Sequence, residues 1–224
     1  MRNLFGPISA LLWKDIVLEA RTKDIVVAML IFSLLIILVF NFAIDPAPQR
    51  LALVAPGILW IAFVFGGVLG LTRSFALEKE NSNMHGLMLA PVSRDTIFFG
   101  KTLAIFLLML LVEAVVLPIF AVFYNLSLAT PELVPVIVLA TLGIATVGTV
   151  FSAMAVNTRA REVMLPLLFL PVALPIIIAA VEATGVVIQD SGMGDLGRWL
   201  PFLATFDAIF LVVCPIAFHL IIED

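Results

Sequence analysis

The sequence predicts an all-α integral membrane protein, six transmembrane helices preceded by an interfacial amphipathic helix, and three observations carry that reading. Of its 224 residues, 63% are hydrophobic and only 12% charged, against about 25% charged in a soluble domain. Apolar runs of bilayer-crossing length, roughly 20 residues each, recur between the charged positions. Lys and Arg crowd into alternate connections between those runs, the asymmetry that orients membrane proteins.

Composition also excludes. Mean hydropathy is +1.22, and so few charges cannot cover the surface of a soluble enzyme. The net charge is -4 with no basic tract, which argues against a nucleic-acid partner. The single cysteine, Cys214, rules out an internal disulfide or a Cys-rich metal site and reads as a small buried hydrophobe. His85 and His219 are too few for a histidine metal cluster. No metal site and no catalytic residue is expected.

Residues 3–23 read as the interfacial helix. Leu4, Ile8, Leu11, Leu12 and Leu18 share one face at helical spacing, with Lys14 and Arg21 on the opposite side. Asp15 and Glu19 fall near the apolar face, which points to pairing with a partner chain or to a less regular segment. The charges interspersed along this stretch do not fit a cleaved signal peptide.

Six spans follow, and the whole of 1–224 reads as one transmembrane domain. The first is 25–44, between Asp24 and Asp45; the second is 51–72, between Arg50 and Arg73. The third is 102–124, interrupted only by Glu113, and the fourth is 133–158, ending before Arg159. The fifth is 163–181, which carries Pro166, Pro171 and Pro175; a re-entrant hairpin competes with a full crossing there. The sixth is 199–222, interrupted by Asp207 and His219. None of these runs alternates apolar and polar residues as a barrel strand would.

Ten of the twelve basic residues lie in the N-terminal segment and in the connections after spans two and four; only Arg50 and Arg198 lie on the other side. Both termini are therefore expected on the cytoplasmic side of the membrane. Gly66 and Gly70 form a GxxxG on span two, a spacing that lets helices approach closely.

Three places could carry function. The connection 73–101 is too polar for the bilayer and contains the apolar cluster Leu87, Met88 and Leu89, stopped by Pro91. Such a cluster suits a docking surface, or a segment folded back on the membrane. Inside the spans, Glu113 and Asp207 are substrate-path or proton-relay candidates, or structural hydrogen-bonding groups. His219 is expected to reach toward the headgroups. Asp95 to Thr102 ends in Gly100-Lys101-Thr102 like a P-loop, but Asp95 replaces the first glycine and no strand precedes it. Lys101 reads instead as an anchor at the mouth of span three.

The interfacial helix, six spans and the segment Glu78-Lys79-Glu80, Leu87-Met88-Leu89, Pro91-Val92-Ser93-Arg94 and Gly100-Lys101 resemble the permeases of ATP-binding-cassette exporters. A narrower resemblance, to the CcmB family of haem-exporter permeases, rests on Ala55-Pro56-Gly57-Ile58-Leu59-Trp60 and Leu170-Pro171-Val172-Ala173-Leu174-Pro175. It implies a coupling segment at Glu78, Glu80, Leu87, Met88, Leu89, Pro91 and Arg94 that docks on a separate, CcmA-like ATP-binding subunit. It further implies CcmC-like and CcmD-like membrane subunits, a CcmE-like haem chaperone, and two permease chains packed as a homodimer. ATP hydrolysis would sit in the partner, so this chain would be no enzyme; haem would be candidate cargo, not a resident cofactor. Asn81-Ser82 and His85 stand where family members often carry Asp-Gly and a further acid. The tryptophan-rich haem-handling motif of CcmC is absent. The competing readings are an exporter permease for a lipid, glycan or drug, an ion-coupled secondary transporter using Glu113 and Asp207, and a membrane scaffold.

Overall fold

The computed structural model describes residues 5–44, 48–80, 93–126, 128, 130–155, 161–189 and 193–221. Seven helices make up the described chain: α1 (Phe5–Thr22), α2 (Asp24–Ala43), α3 (Pro48–Glu80), α4 (Arg94–Tyr124), α5 (Leu133–Ala155), α6 (Arg161–Ile188) and α7 (Met193–Ile221). Six of them, α2 to α7, are long and apolar enough to cross a membrane. They run up and down in order, so the start of α2 and the ends of α3, α5 and α7 share one end of the bundle with α1.

A single residue separates α1 from α2. Lys23 adopts the left-handed conformation, φ 59 and ψ 13, which costs a non-glycine residue about 1–2 kcal/mol. Glu19 offsets that cost: its carboxylate Oε1 accepts from the backbone N–H of Val26 at 2.8 Å, while its carbonyl accepts from Lys23 N at 2.7 Å. A carboxylate at a helix N-terminus also meets the positive end of the helix dipole. Helix α4 begins at Ser93, whose hydroxyl accepts from Thr96 N. It ends in a left-handed Asn125, with Leu126 N donating to Ala121 O at 3.0 Å, a Schellman closure.

Helices α3, α4, α6 and α7 are longer than the apolar runs predict. The connection expected over 73–101 shortens, because α3 continues to Glu80 and α4 already starts at Arg94. Counting apolar residues measures the thickness of the hydrocarbon, whereas charged residues such as Arg73 leave the hydrogen-bond ladder intact. At 31 residues, α4 is about 46 Å long, well beyond a hydrocarbon core of about 30 Å.

The fifth span is one continuous helix, not a hairpin. Its buried face, Leu165, Phe169, Ala173, Ile176, Ala180 and Ala183, recurs every three or four residues and contains no proline. Pro166, Pro171 and Pro175 sit off that face, so the packing does not depend on the donors they lack.

Helix α5 is the hub, packed on α3, α4, α6 and α7. Helix α2 lies on α3 and α4, and α1 lies along α4. Small residues set these distances. A Cβ on Gly66 would fall 2.5 Å from Ser33 Oγ, and one on Gly70 2.5 Å from Met29 Sδ. The GxxxG of span two thus seats α2 of the same chain. Buried polar groups tie the helices together: Trp60 Nε1 donates to Thr184 Oγ1 at 2.9 Å, Ser33 Oγ to Ala62 O at 3.0 Å, and Tyr124 OH to Ile37 O at 3.2 Å.

This packing separates two glycines of α3. Gly66→Ala should displace the Ser33 hydroxyl and lower stability by about 1–3 kcal/mol, the range for overpacking. A Cβ on Gly57 meets nothing within 4 Å, so Gly57→Ala should be neutral or stabilise by about 0.5–1 kcal/mol. Melting of the two purified variants in detergent checks the contrast; equal losses would contradict it.

Candidate functional site

Two polar regions stand out, one at the α1 end of the bundle and one in mid-span. At the α1 end, an apolar cluster of Phe75, Ile97, Phe98, Val150, Ala153, Cys214 and Phe218 joins the end of α3, the start of α4 and the ends of α5 and α7. Phe98 and Phe218 pack with ring centroids 5.4 Å apart. Arg94, the first residue of α4, donates from Nη1 to the carbonyl of His219 at 3.1 Å. The carbonyls at a helix C-terminus lack intrahelical donors, so an arginine there is favourable.

A buried ion pair lies beside that cluster. Lys101 Nζ stands 2.7 Å from Asp15 Oδ2, with the Lys101 side chain only 4% exposed and Asp15 12%. Lys14 also reaches Asp15, at 3.2 Å, and the Lys101 ammonium lies 6.0 Å from the Phe75 ring centroid. Gly100 makes the contact close: a Cβ there would meet Leu11 Cβ at 3.1 Å. The interfacial helix is therefore clamped to α4 by a buried ion pair next to a glycine notch.

These facts revise several expectations. Asp15 and Glu19 need no partner chain; Asp15 pairs with Lys101 and Glu19 caps α2. Lys101, expected as an anchor at the mouth of span three, lies near the start of α4 and is covered by α1. Gly100-Lys101-Thr102 lies inside α4, where backbone N–H groups serve the helix, so no phosphate cradle forms. Of the coupling residues, Glu78 and Glu80 fall in the last turn of α3 and Arg94 opens α4. Leu87, Met88, Leu89 and Pro91 lie outside the described residues, as does His85.

In mid-span, Glu113 of α4 is 2% exposed. The Thr141 hydroxyl of α5 sits 2.9 Å from its Oε1 and 2.8 Å from its Oε2. Asp207 of α7 is 3% exposed, and among the described residues neither of its carboxylate oxygens has a hydrogen-bond partner. Its Oδ1 occupies the notch of Gly143, 2.6 Å from where a Cβ would stand. Thr141 and Gly143 are two residues apart on α5, so the acids approach that helix from different sides. An acid at mid-bilayer costs about 2.5–3.5 kcal/mol on insertion scales.

Sequence reasoning found both acids but missed what holds them. Thr141 and Gly143 are ordinary residues for a membrane helix, and no spacing links them to positions on α4 and α7. The Asp15–Lys101 clamp had a signal: two acids one turn apart on an apolar face require a basic partner. Among the described residues no group of three or more His, Cys, Asp or Glu could hold a metal ion.

Asp15→Asn should lower stability by about 3 kcal/mol, because it takes the nearest counter-charge from a buried ammonium. Lys14→Met should cost far less, since that pair is more exposed. The double variant Asp15→Asn/Lys101→Met should recover much of the loss, and a double-mutant cycle on melting checks this. Additive losses would show that the pair does not interact.

Residues 7–223 match the family described as "CcmB protein". A relative from Paracoccus denitrificans, "Heme exporter protein B", is 31% identical over 211 residues, 94% of this chain and 95% of the relative. The protein of the same name from Pseudomonas aeruginosa is 28% identical over 218 residues, covering 97% and 95%. That from Rhodobacter capsulatus is 30% identical over 174 residues, covering 77% and 80%. The family match runs from the first turn of α1 through the last turn of α7, and the chain belongs to the CcmB family.

Proposed function

We propose that this chain is the membrane permease subunit of an ATP-binding-cassette transporter acting in haem export and haem-chaperone release for cytochrome c maturation. The near full-length similarity to proteins named "Heme exporter protein B" carries the reading. The six-span bundle supports it. The chain sits in the bacterial inner membrane with both termini in the cytoplasm, on the grounds of its basic-residue asymmetry. ATP is hydrolysed by a separate CcmA-like subunit. CcmC-like and CcmD-like membrane subunits, a CcmE-like chaperone and a second copy of this chain complete the assembly.

The mechanism follows from the α1 end of the bundle. Glu78, Glu80, Leu87, Met88, Leu89, Pro91 and Arg94 dock on the ATPase. Closure of the ATPase pair displaces the end of α3 and the start of α4. Two ties spread that displacement. The Asp15–Lys101 pair makes α1 follow α4, and the Arg94–His219 bond makes the end of α7 follow it too. Thus the chemistry in one protein becomes a tilt of several helices in another, a shear of packed elements rather than a local rearrangement.

The assignment is tested by deleting the gene and staining the host's membrane proteins for covalently bound haem. Loss of the bands, restored by the intact chain, is expected; unchanged bands would remove cytochrome maturation and leave a permease for other cargo. For the coupling segment, Leu87→Asp or Leu89→Asp should leave the chain folded in the membrane and its ATPase active. Haem attachment should nevertheless fall at least about tenfold, equivalent to roughly 1.4 kcal/mol of lost coupling. Wild-type staining in both variants would remove the docking role.

A further inference from the structure

The structure assigns Asp207 as a proton-binding site, whose occupancy holds α7 against α5. This inference stands on the geometry around one carboxyl and does not depend on which cargo the chain serves.

Asp207 is nine-tenths buried and more, yet among the described residues both its oxygens lack hydrogen-bond partners. The hydroxyls within a turn or so of the contact are committed elsewhere. Thr141 Oγ1 donates to Glu113, Thr146 Oγ1 to Leu142 O at 2.7 Å, and Thr205 Oγ1 to Pro201 O at 2.7 Å. No ionisable residue occurs anywhere along α5. From α6 the apolar Ile176 Cδ1 shares the Gly143 notch, and the ionisable residues of that helix, Arg161, Glu162 and Glu182, stand toward its ends. From α4 the acid at mid-span is Glu113, bound to Thr141 on another side of α5. Along α7 itself, Asp195 and Arg198 lie more than two turns before Asp207, and Cys214 and His219 about two or more turns after it.

An ionised carboxylate in that setting has neither a cation nor a donor. The ligand that resolves this must be small, because Oδ1 already fills the space that a Cβ on Gly143 would take. A bridging water needs room and two to four polar partners. A proton needs neither. It removes the charge and turns one oxygen into a donor. A partner chain cannot supply the missing group while α7 stays in place, since the carboxyl faces inward. Loss of the proton leaves a bare charge between α5, α6 and α7, and the cheapest relief is for α7 to move and admit water.

Two readouts test this on the full-length protein in lipid bilayers. The first is the infrared spectrum at neutral pH. A carboxylic-acid C=O band is expected that shifts when aspartate is isotopically labelled and vanishes in Asp207→Asn. The aspartate label distinguishes it from Glu113 and needs no variant. The second uses Cys214, which is buried on α7 in the cluster with Val150 and Ala153 of α5. Its maleimide labelling reports whether α7 has left α5. Wild type and Asp207→Asn should label alike near about pH 5, and wild type at least about tenfold faster near about pH 9. Comparing the two proteins at each pH cancels the thiol's own titration. The sign follows from linkage: a group that binds its proton in the packed form stabilises that form at low pH, and the gain fades as pH rises. Only an ionised aspartate signal at neutral pH, or a labelling ratio that stays constant with pH, would overturn the assignment.

Discussion

Helix α5 can touch α3, α4, α6 and α7 at once only because its side chains are small where neighbours come closest. Ala140, Gly143, Ala145, Gly148 and Ala153 are all buried, and Leu71 of α3 fills the space beside Gly148. In a bilayer the lipid is as apolar as the protein interior, so burial of apolar surface does not by itself hold helices together. Close packing and internal hydrogen bonds must do so. A slim central helix provides the first, and hydroxyl and carboxyl contacts provide the second. The Glu113–Thr141 contact, the Trp60–Thr184 bond and the Ser33–Ala62 bond all follow from that constraint, because each joins a different pair of helices where polar groups find no water.

The same constraint divides the molecule into a quiet half and a working half. Away from α1, the interhelical hydrogen bonds of Tyr124 with Ile37 and of Trp60 with Thr184 are neutral. At the α1 end the chain uses full charges, with Asp15 on Lys101, Glu19 on the start of α2, and Arg94 on the end of α7. Charged contacts tolerate that end because water and headgroups lie near, and they bind helix to helix more specifically than apolar packing. The segment between α3 and α4 emerges there. Any force applied to it meets charges already wired to α1 and α7.

How much of this could be read in advance depends on the range of the interaction. The six spans were legible because apolar run length is a local property measured against a fixed thickness. The helix ends at Glu80 and Arg94 were not, since charge ends the apolar run but not the helix. The proline-rich span misled in the same way: the count of prolines was visible, but their place off the buried face depends on what α5 and α3 present to it. At the site, Glu113 and Asp207 were visible as charges in apolar runs. Their partners were not, because Thr141 and Gly143 differ from other small residues of α5 only in what faces them. Asp15 and Glu19 lie between: the misfit on the apolar face was plain, and only the identity of the partners needed the fold.

The two acids make a pair whose difference follows from one residue. Glu113 meets a donor, and Asp207, two residues further along α5, meets a glycine. The first contact satisfies a charge or a proton equally, since the Thr141 hydroxyl can donate to a carboxylate or accept from an acid. The second satisfies neither form through α5 side chains, so Asp207 responds far more strongly to gaining or losing a proton. A helix held by a satisfied group is fixed, and one held by an unsatisfied group is poised. The bundle accordingly ties α4 to α5 by a hydrogen bond and, on the proposal above, leaves the mid-span contact of α7 with α5 dependent on a proton. Helix α7 is also among the least enclosed spans, and its last turn is tied to Arg94 at the start of α4. On the proposals above, a displacement entering at α4 would reach α7, whose mid-membrane contact a proton controls.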